Sequence, residues 1–336
     1  MSAELAGAHV ILVGPTGHLG AAIRRELVTR RFPVDKITMM AAGEGEEVGQ
    51  VVEYAGEDRL VAEVDEEQVA RADVMFLGRR GPGTRQALGM VTQGRGVAID
   101  LVDVEASSGV VPVVNMDVNR SCLPADRPTK VRAPHGIIQT LSTAVAAAAE
   151  GSRVTSVSAT ILLPASDSGE SGVQELYRQT AGVLSFGDKP AEVFERQVAF
   201  NAVPHALLHR QQGWPDLDRR MRLETAAILG LSPAAVSVRA VLVPVFHGAS
   251  LLVGIELDPV PDRAGRRRRW TRARFEMSAC TAAELEESDA VHLTDLTDED
   301  GSRVEFWAVV DNLRTGGAAN GVRIAEALLA AAPESG

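Results

Sequence analysis

Two short stretches hold the residue types that could do chemistry. The first is Gly14-Pro15-Thr16-Gly17-His18-Leu19-Gly20, with three glycines at G-x-x-G-x-x-G spacing. Glycines let backbone N–H groups approach a pyrophosphate, and a helix that starts at such a turn adds partial positive charge. The same spacing also suits a tight strand-to-helix turn with no ligand. The second stretch is Ala133-Pro134-His135-Gly136, which leads into a helical apolar run over 138–150. A nucleophile at a helix start is activated by the helix dipole, which lowers the pKa of a thiol. Here the turn offers only His135, either a hydrogen-bonded loop residue or a reactive group. Ser142 and Thr143 follow a turn later and read as packing residues. Cys122 and Cys280 fall at no metal-ligand or redox spacing, so a reducing cytoplasm is the expected compartment.

The elements that must position the glycine turn are easily read. His9-Val10-Ile11-Leu12-Val13 is an apolar run of strand length, and 21–28 carries apolar residues at helical spacing. The next strand, 36–40, ends in Ala41-Ala42-Gly43-Glu44-Gly45-Glu46-Glu47, where the adenosine ribose lies in such a fold. Carboxylates there repel a 2′-phosphate and accept from a 2′-hydroxyl. Glu44 and Glu46 therefore favour NAD over NADP, if any dinucleotide binds; the alternative is a solvated acidic turn. Residues 73–77 and 97–101 read as further buried strands, with a helix over 84–92 between them. Strands alternating with helices give a parallel sheet covered on both faces. Gly78-Arg79-Arg80-Gly81-Pro82-Gly83 follows the first of these strands on the ligand-binding edge, where its arginines either meet a phosphate or are simply exposed.

The remainder reads as a second domain. A chain of 336 residues exceeds one typical domain, and Gly151-Ser152 is a plausible crossing. Strands are expected over 154–163, 235–245, 251–257 and 304–310, and helices over 171–184 and 318–331. Gly265-Arg266-Arg267-Arg268-Arg269-Trp270 reads as a basic loop. It is either solvated and partly paired with the acidic 284–300 region or able to touch RNA or a partner's acidic face. A net charge of −11 argues against a nucleic-acid partner. No stretch reaches about 18 uninterrupted apolar residues, so no membrane association is expected.

Several ordered motifs together resemble the aspartate-β-semialdehyde dehydrogenase family. The glycine turn with Thr16 is similar to that family's nucleotide loop, and Gly169-Glu170-Ser171-Gly172-Val173-Gln174-Glu175-Leu176 to its small-residue loop and helix. Phe194-Glu195-Arg196-Gln197-Val198-Ala199-Phe200-Asn201-Ala202-Val203-Pro204-His205 is very close to a family signature. Val243-Pro244-Val245-Phe246-His247-Gly248 and the closing 311–320 segment complete the resemblance.

The resemblance implies a mechanism that this chain does not carry. Its cysteine nucleophile falls on Gly136, its acyl-orienting glutamine on Leu163, its carboxylate-binding arginine on Leu242 and its acid/base histidine on Ala249. A phosphate-binding arginine falls on Ala106 and a substrate-side glutamate on Leu251. Losing nucleophile and base together removes terms worth several kcal/mol each. Strand alternation would put His247 on the same face as the missing histidine unless the chain turns before Gly248, and His247 with His135 could then form a residual polar pair.

The reading is thus an α/β chain. A Rossmann-type doubly wound parallel sheet over 1–150, completed by 318–336, joins an α+β substrate and dimerisation domain over 151–317 with a mainly antiparallel sheet. It is similar to the divergent, Usg-type members lacking the catalytic residues. Expected cofactor contacts are Gly14, Thr16, Gly17, His18, Leu19, Gly20, Glu44 and Gly78, with Asn312 implied by the resemblance, although Thr315 stands where a lysine is common. A homodimer is expected. Its role is either a scaffold that binds a dinucleotide or a partner protein, or an NAD-dependent oxidoreductase with non-covalent chemistry on an apolar carbonyl.

Overall fold

Strand β1 (Ala8–Val13) lies at the centre of a seven-stranded sheet in the computed structural model. The structure describes residues 7–43, 47–91, 96–104, 111–124, 129–208, 216–285, 290–298, 303–314 and 317–331. Val10 and Leu12 of β1 enter one apolar core and Ile11 and Val13 another, because side chains alternate across a strand. Only an unbroken apolar run can be buried on both faces, and this holds β1 in the middle. The chain continues through α1 (His18–Thr29), β2 (Val34–Met40), β3 (Val51–Tyr54), β4 (Glu57–Ala62) and α2 (Glu66–Arg71). β5 (Val74–Leu77), α3 (Pro82–Met90), β6 (Val97–Asp100) and β7 (Lys130–Arg132) follow. Across the sheet the order is β3-β4-β2-β1-β5-β6-β7, parallel at each pair except β3–β4. Connections run from β1 outward in both directions, so the switch point where such sheets bind ligands lies between β1 and β5.

The chain forms two compact units, Met1–His135 with Gly316–Gly336, and Gly136–Thr315. The second begins with α4 (Gly136–Ala148), ahead of the crossing expected near residue 151, because α4 packs against α6 (Leu217–Leu229) and α7 (Arg263–Arg272). It also contains β8 (Arg153–Leu163), α5 (Gly169–Ser185), β9 (Val203–Pro204), β10 (Val236–Leu242) and β11 (Ala249–Asp258). β12 (Phe275–Met277), β13 (Val291–Asp295) and β14 (Val304–Val310) complete it. The sheet order is β12-β13-β14-β11-β8-β10-β9, antiparallel except at β8–β10 and β12–β13. Val157, Ala159 and Ile161 of β8, Val253 of β11 and Phe306 of β14 are buried on one face, where α4 and α6 pack. Leu252, Glu256 and Glu305 stand exposed on the other.

The basic stretch 265–270 is not a loop. It forms helix α7, capped by the Asp262 carboxylate, which accepts from the Gly265 N–H at 2.7 Å. Arg266 and Trp270, one turn apart, are both buried. Arg266 pairs with Asp295, and the Trp270 indole donates to the Ala144 carbonyl at 2.9 Å. Arg269 donates to the carbonyls of Ala147 and Ala148, both at 3.1 Å. A cation at the end of α4 meets carbonyls with no intrahelical partner and the negative end of the dipole. Arg266 and Arg269 thus fix the helix to its neighbours, while Arg267 and Arg268 face solvent.

α5 anchors the segment that follows it. Glu175 is fully buried, and its carboxylate accepts from the N–H groups of Glu192 and Val193, each at 2.7 Å, and Phe194 at 2.9 Å. One turn on, Gln179 accepts from Val198 and Ala199 and donates to the carbonyls of Pro190 and Arg196. Helix α8 (Gly317–Ala330) then returns to the first unit, where the Asn320 amide accepts from the Met116 N–H and donates to the Val114 carbonyl.

Candidate functional site

In the first unit, loops after β1, β2 and β5 converge on a single side chain. Gly14 leaves β1 at φ +76°, and a Cβ there would lie 2.4 Å from Arg79 Cβ, so only glycine fits. A Cβ on Gly20 would meet the Gly14 carbonyl oxygen at 2.3 Å, and this lets α1 pack tightly onto the turn. Thr16, Gly17 and Leu19 are half-buried, His18 is exposed, and Gly78 is buried with its N–H on the Val13 carbonyl. Gly17 caps α1 without a side-chain bond, and no acid stands in the first turn.

The converging side chain is Glu47. One carboxylate oxygen accepts from the Thr16 hydroxyl at 2.5 Å and from Arg79 Nη1 at 2.6 Å. The other accepts from the N–H groups of Ala42 at 2.7 Å and Gly43 at 3.1 Å. Glu44 and Glu46 lie outside the described residues, as do Ala106 and Thr315. A run of carboxylates beside a glycine turn signals an acid at the end of β2, and among the described residues that acid is Glu47.

Burial pushes the Glu47 carboxyl up, but the Thr16 hydroxyl, the Gly43 and Ala42 N–H groups and the Arg79 charge together hold its pKa below the ordinary glutamate value. A group with a depressed folded-state pKa contributes stability that is complete above its unfolded value and is lost as pH falls through the folded one. The stability advantage of the wild type over Glu47→Gln should therefore be full at neutral pH and shrink below about pH 4.3, the unfolded glutamate value. Urea midpoints of the two chains across that range read this directly. A gap that stays constant would mean the four bonds do not depend on the charge.

In the second unit, three of the positions implied by the resemblance reach one end of the sheet. Leu163 and Leu242 are register partners at the ends of β8 and β10, and Val203 of β9 pairs with Leu242 on its other side. This row of Val203, Leu242 and Leu163 is 3%, 2% and 1% exposed, so the positions where the resemblance implies a glutamine and an arginine lie in a buried apolar row. Ala249 opens β11, next to the Ser250–Leu162 pair, and is buried, as is Leu251. Gly136 opens α4, and Ser142 in that helix donates to the Ile138 carbonyl at 2.6 Å, consistent with a packing role.

His247 lies in the turn between β10 and β11 and is exposed. The chain bends before Gly248, which has φ +85°, so strand alternation does not carry His247 to the missing histidine's face. His135 ends the first unit and His247 belongs to the second. The Asn312 side-chain oxygen accepts from the Ser166 hydroxyl and the Gly248 N–H, both at 3.2 Å, which ties this turn to the end of β8. Among the described residues no group of three or more His, Cys, Asp or Glu side chains could hold a metal, and no helix is long and apolar enough to cross a membrane.

A doubly wound parallel sheet joined to a mainly antiparallel one is the two-unit architecture of the semialdehyde dehydrogenases. Residues 145–315 match the family described as semialdehyde dehydrogenase, dimerisation domain. The chain is 28% identical over 334 residues to a "USG-1 protein homolog" of Azotobacter vinelandii, covering 95% of this chain and 97% of that protein. It superposes on the structure of a probable aspartate-semialdehyde dehydrogenase from Pseudomonas aeruginosa with a TM-score of 0.84 at 26% identity, covering 96% and 98%. A Candida albicans aspartate-semialdehyde dehydrogenase with NADP shares the fold at 15% identity and a TM-score of 0.69, covering 97% and 99%. The chain belongs to the aspartate-semialdehyde dehydrogenase family.

Proposed function

We propose that this chain is a catalytically degenerate family member, a scaffold that binds a dinucleotide or a partner protein without the parent phosphorylating dehydrogenase chemistry. The observation that carries this reading is the buried row Val203–Leu242–Leu163, together with Gly136 at the start of α4. Glycine has no atom with which to attack a carbonyl. Leucines cannot pair the charges of an acyl phosphate, and such charges are costly when buried without partners. Purified protein with NADP, aspartate semialdehyde and phosphate is expected to form no NADPH above the enzyme-free rate. Loss of nucleophile and base accounts for about 10⁴-fold or more. Phosphate-dependent turnover would overturn the reading.

The glycine turn supports a second reading. An intact Gly14–Gly20 loop in the first unit and an apolar row in the second suit an NAD-dependent oxidoreductase that transfers hydride to an apolar carbonyl with no covalent step. Calorimetric titration separates the two: tight NAD binding favours a search for such a substrate, and binding of neither NAD nor NADP favours partner capture. Preference for NAD is supported by the buried Glu47 carboxylate at the end of β2, since a carboxylate there repels a 2′-phosphate. Homodimer formation is supported by the family's dimerisation domain and by exposed Leu252 on the uncovered sheet face. Sedimentation should give twice the chain mass, and Leu252→Arg should shift it toward the monomer.

A further inference from the structure

Four donors from three loops surround the Glu47 carboxylate: one hydroxyl, two backbone N–H groups and one guanidinium. That donor set is what a phosphate dianion recruits, and it sits at the switch-point edge of a doubly wound sheet. Glu47 is only 5% exposed at its side chain, while Arg79 is 54% exposed and open to solvent on its far side. A carboxylate offers about four lone-pair sites, and all four are engaged here. Glu47 is therefore a saturated occupant, with no acceptor left over for a ribose hydroxyl.

We infer that Thr16, Ala42, Gly43 and Arg79 form an anion site filled by the chain's own Glu47, and that this plug makes the unit reject dinucleotides with a 2′-phosphate. The selection works by exclusion. The arginine available to a 2′-phosphate is already neutralised by Glu47, whose carboxylate also fills the space between the loops. Removing the carboxylate should free Arg79, the hydroxyl and both N–H groups at once and convert the plug into a receptor for phosphate. The nucleotide consequence rests on dinucleotide binding at Gly14–Gly20; the anion site itself does not.

The test compares wild type with Glu47→Ala, using inorganic phosphate, NAD and NADP as probes. Thermal melting of the wild type should be unmoved by millimolar phosphate, whereas Glu47→Ala should gain stability as phosphate rises, because a ligand bound only by the folded chain raises its midpoint. Adding Arg79→Ala to that variant should abolish the gain. In calorimetry the NADP affinity of Glu47→Ala should rise by about tenfold or more, with NAD changing by less than about threefold. Glu47→Ser, whose hydroxyl can accept from one of the two N–H groups, serves if the alanine chain does not fold. A variant with no response to phosphate and no gain for NADP overturns the inference, and so does a wild type that binds NADP as tightly as NAD. Should the variant bind phosphate while neither chain binds a dinucleotide, the anion site stands and the dinucleotide reading falls.

Discussion

Glu175→Ala is expected to be among the most destabilising single substitutions in the second unit. The side chain is 0% exposed and accepts from three successive backbone N–H groups at 192–194. Truncation leaves those donors without their acceptor, at about 1–3 kcal/mol each for a group kept from water. A total loss of roughly 4 kcal/mol is large enough to populate unfolded chain at moderate temperature. The damage should also spread, because the same helix fixes 196–199 through Gln179. Urea denaturation followed by circular dichroism measures the loss. A midpoint within about 1 kcal/mol of wild type would mean the segment holds its shape without α5. Glu175→Gln keeps one acceptor oxygen but places an amide NH₂ against the donors, so its effect should fall between the two.

Trp270→Ala should cost a comparable amount by a different route. The ring is fully buried, meets Phe306 edge-on with centroids 5.5 Å apart, and donates to the Ala144 carbonyl. Removing a buried tryptophan leaves a cavity and costs about 3–5 kcal/mol. Trp270→Phe separates the terms: the packing largely remains and the hydrogen bond is lost, for about 1 kcal/mol. Equal destabilisation by both substitutions would show that the Ala144 contact, not the volume, is what matters.

The parts of this molecule that can be read from sequence are those where burial and chemistry agree. The β1 run, the glycine turn and α1 are all present, because an all-apolar strand must be central and Gly14 and Gly20 have no room for a Cβ. Strand β14 is found at 304–310 as expected, since its first half alternates and its apolar end Ala308–Val310 is buried throughout. The basic helix α7 escaped because six arginines erase the apolar period, leaving only Trp270 to mark a buried face. β3 escaped because it has only four residues and lies at the sheet edge, and β4 because it opens on Glu57-Asp58-Arg59. Glu47 could be placed among several acids but not singled out, as its role depends on donors from three separate loops. His247 depended on where β10 ends: the strand stops at Leu242, and 243–248 turn before β11 begins at Ala249.

Helix α8 bears on how the chain comes into being. Its Asn320 holds the 114–116 backbone, and its Glu326 forms a salt bridge with Arg30 of α1 at 2.7 Å, so the first unit has a core member drawn from residues 317–330. Ribosomes release the chain from the amino end, and domains fold as their parts emerge. The second unit, continuous from 136 to 315, has all its pieces before the first does. The nucleotide-type unit, made first, must wait on the tunnel with one flank of its sheet uncovered until the last helix arrives. The unit translated first is thus the one whose last structural element is made last, the reverse of the second unit's continuous order.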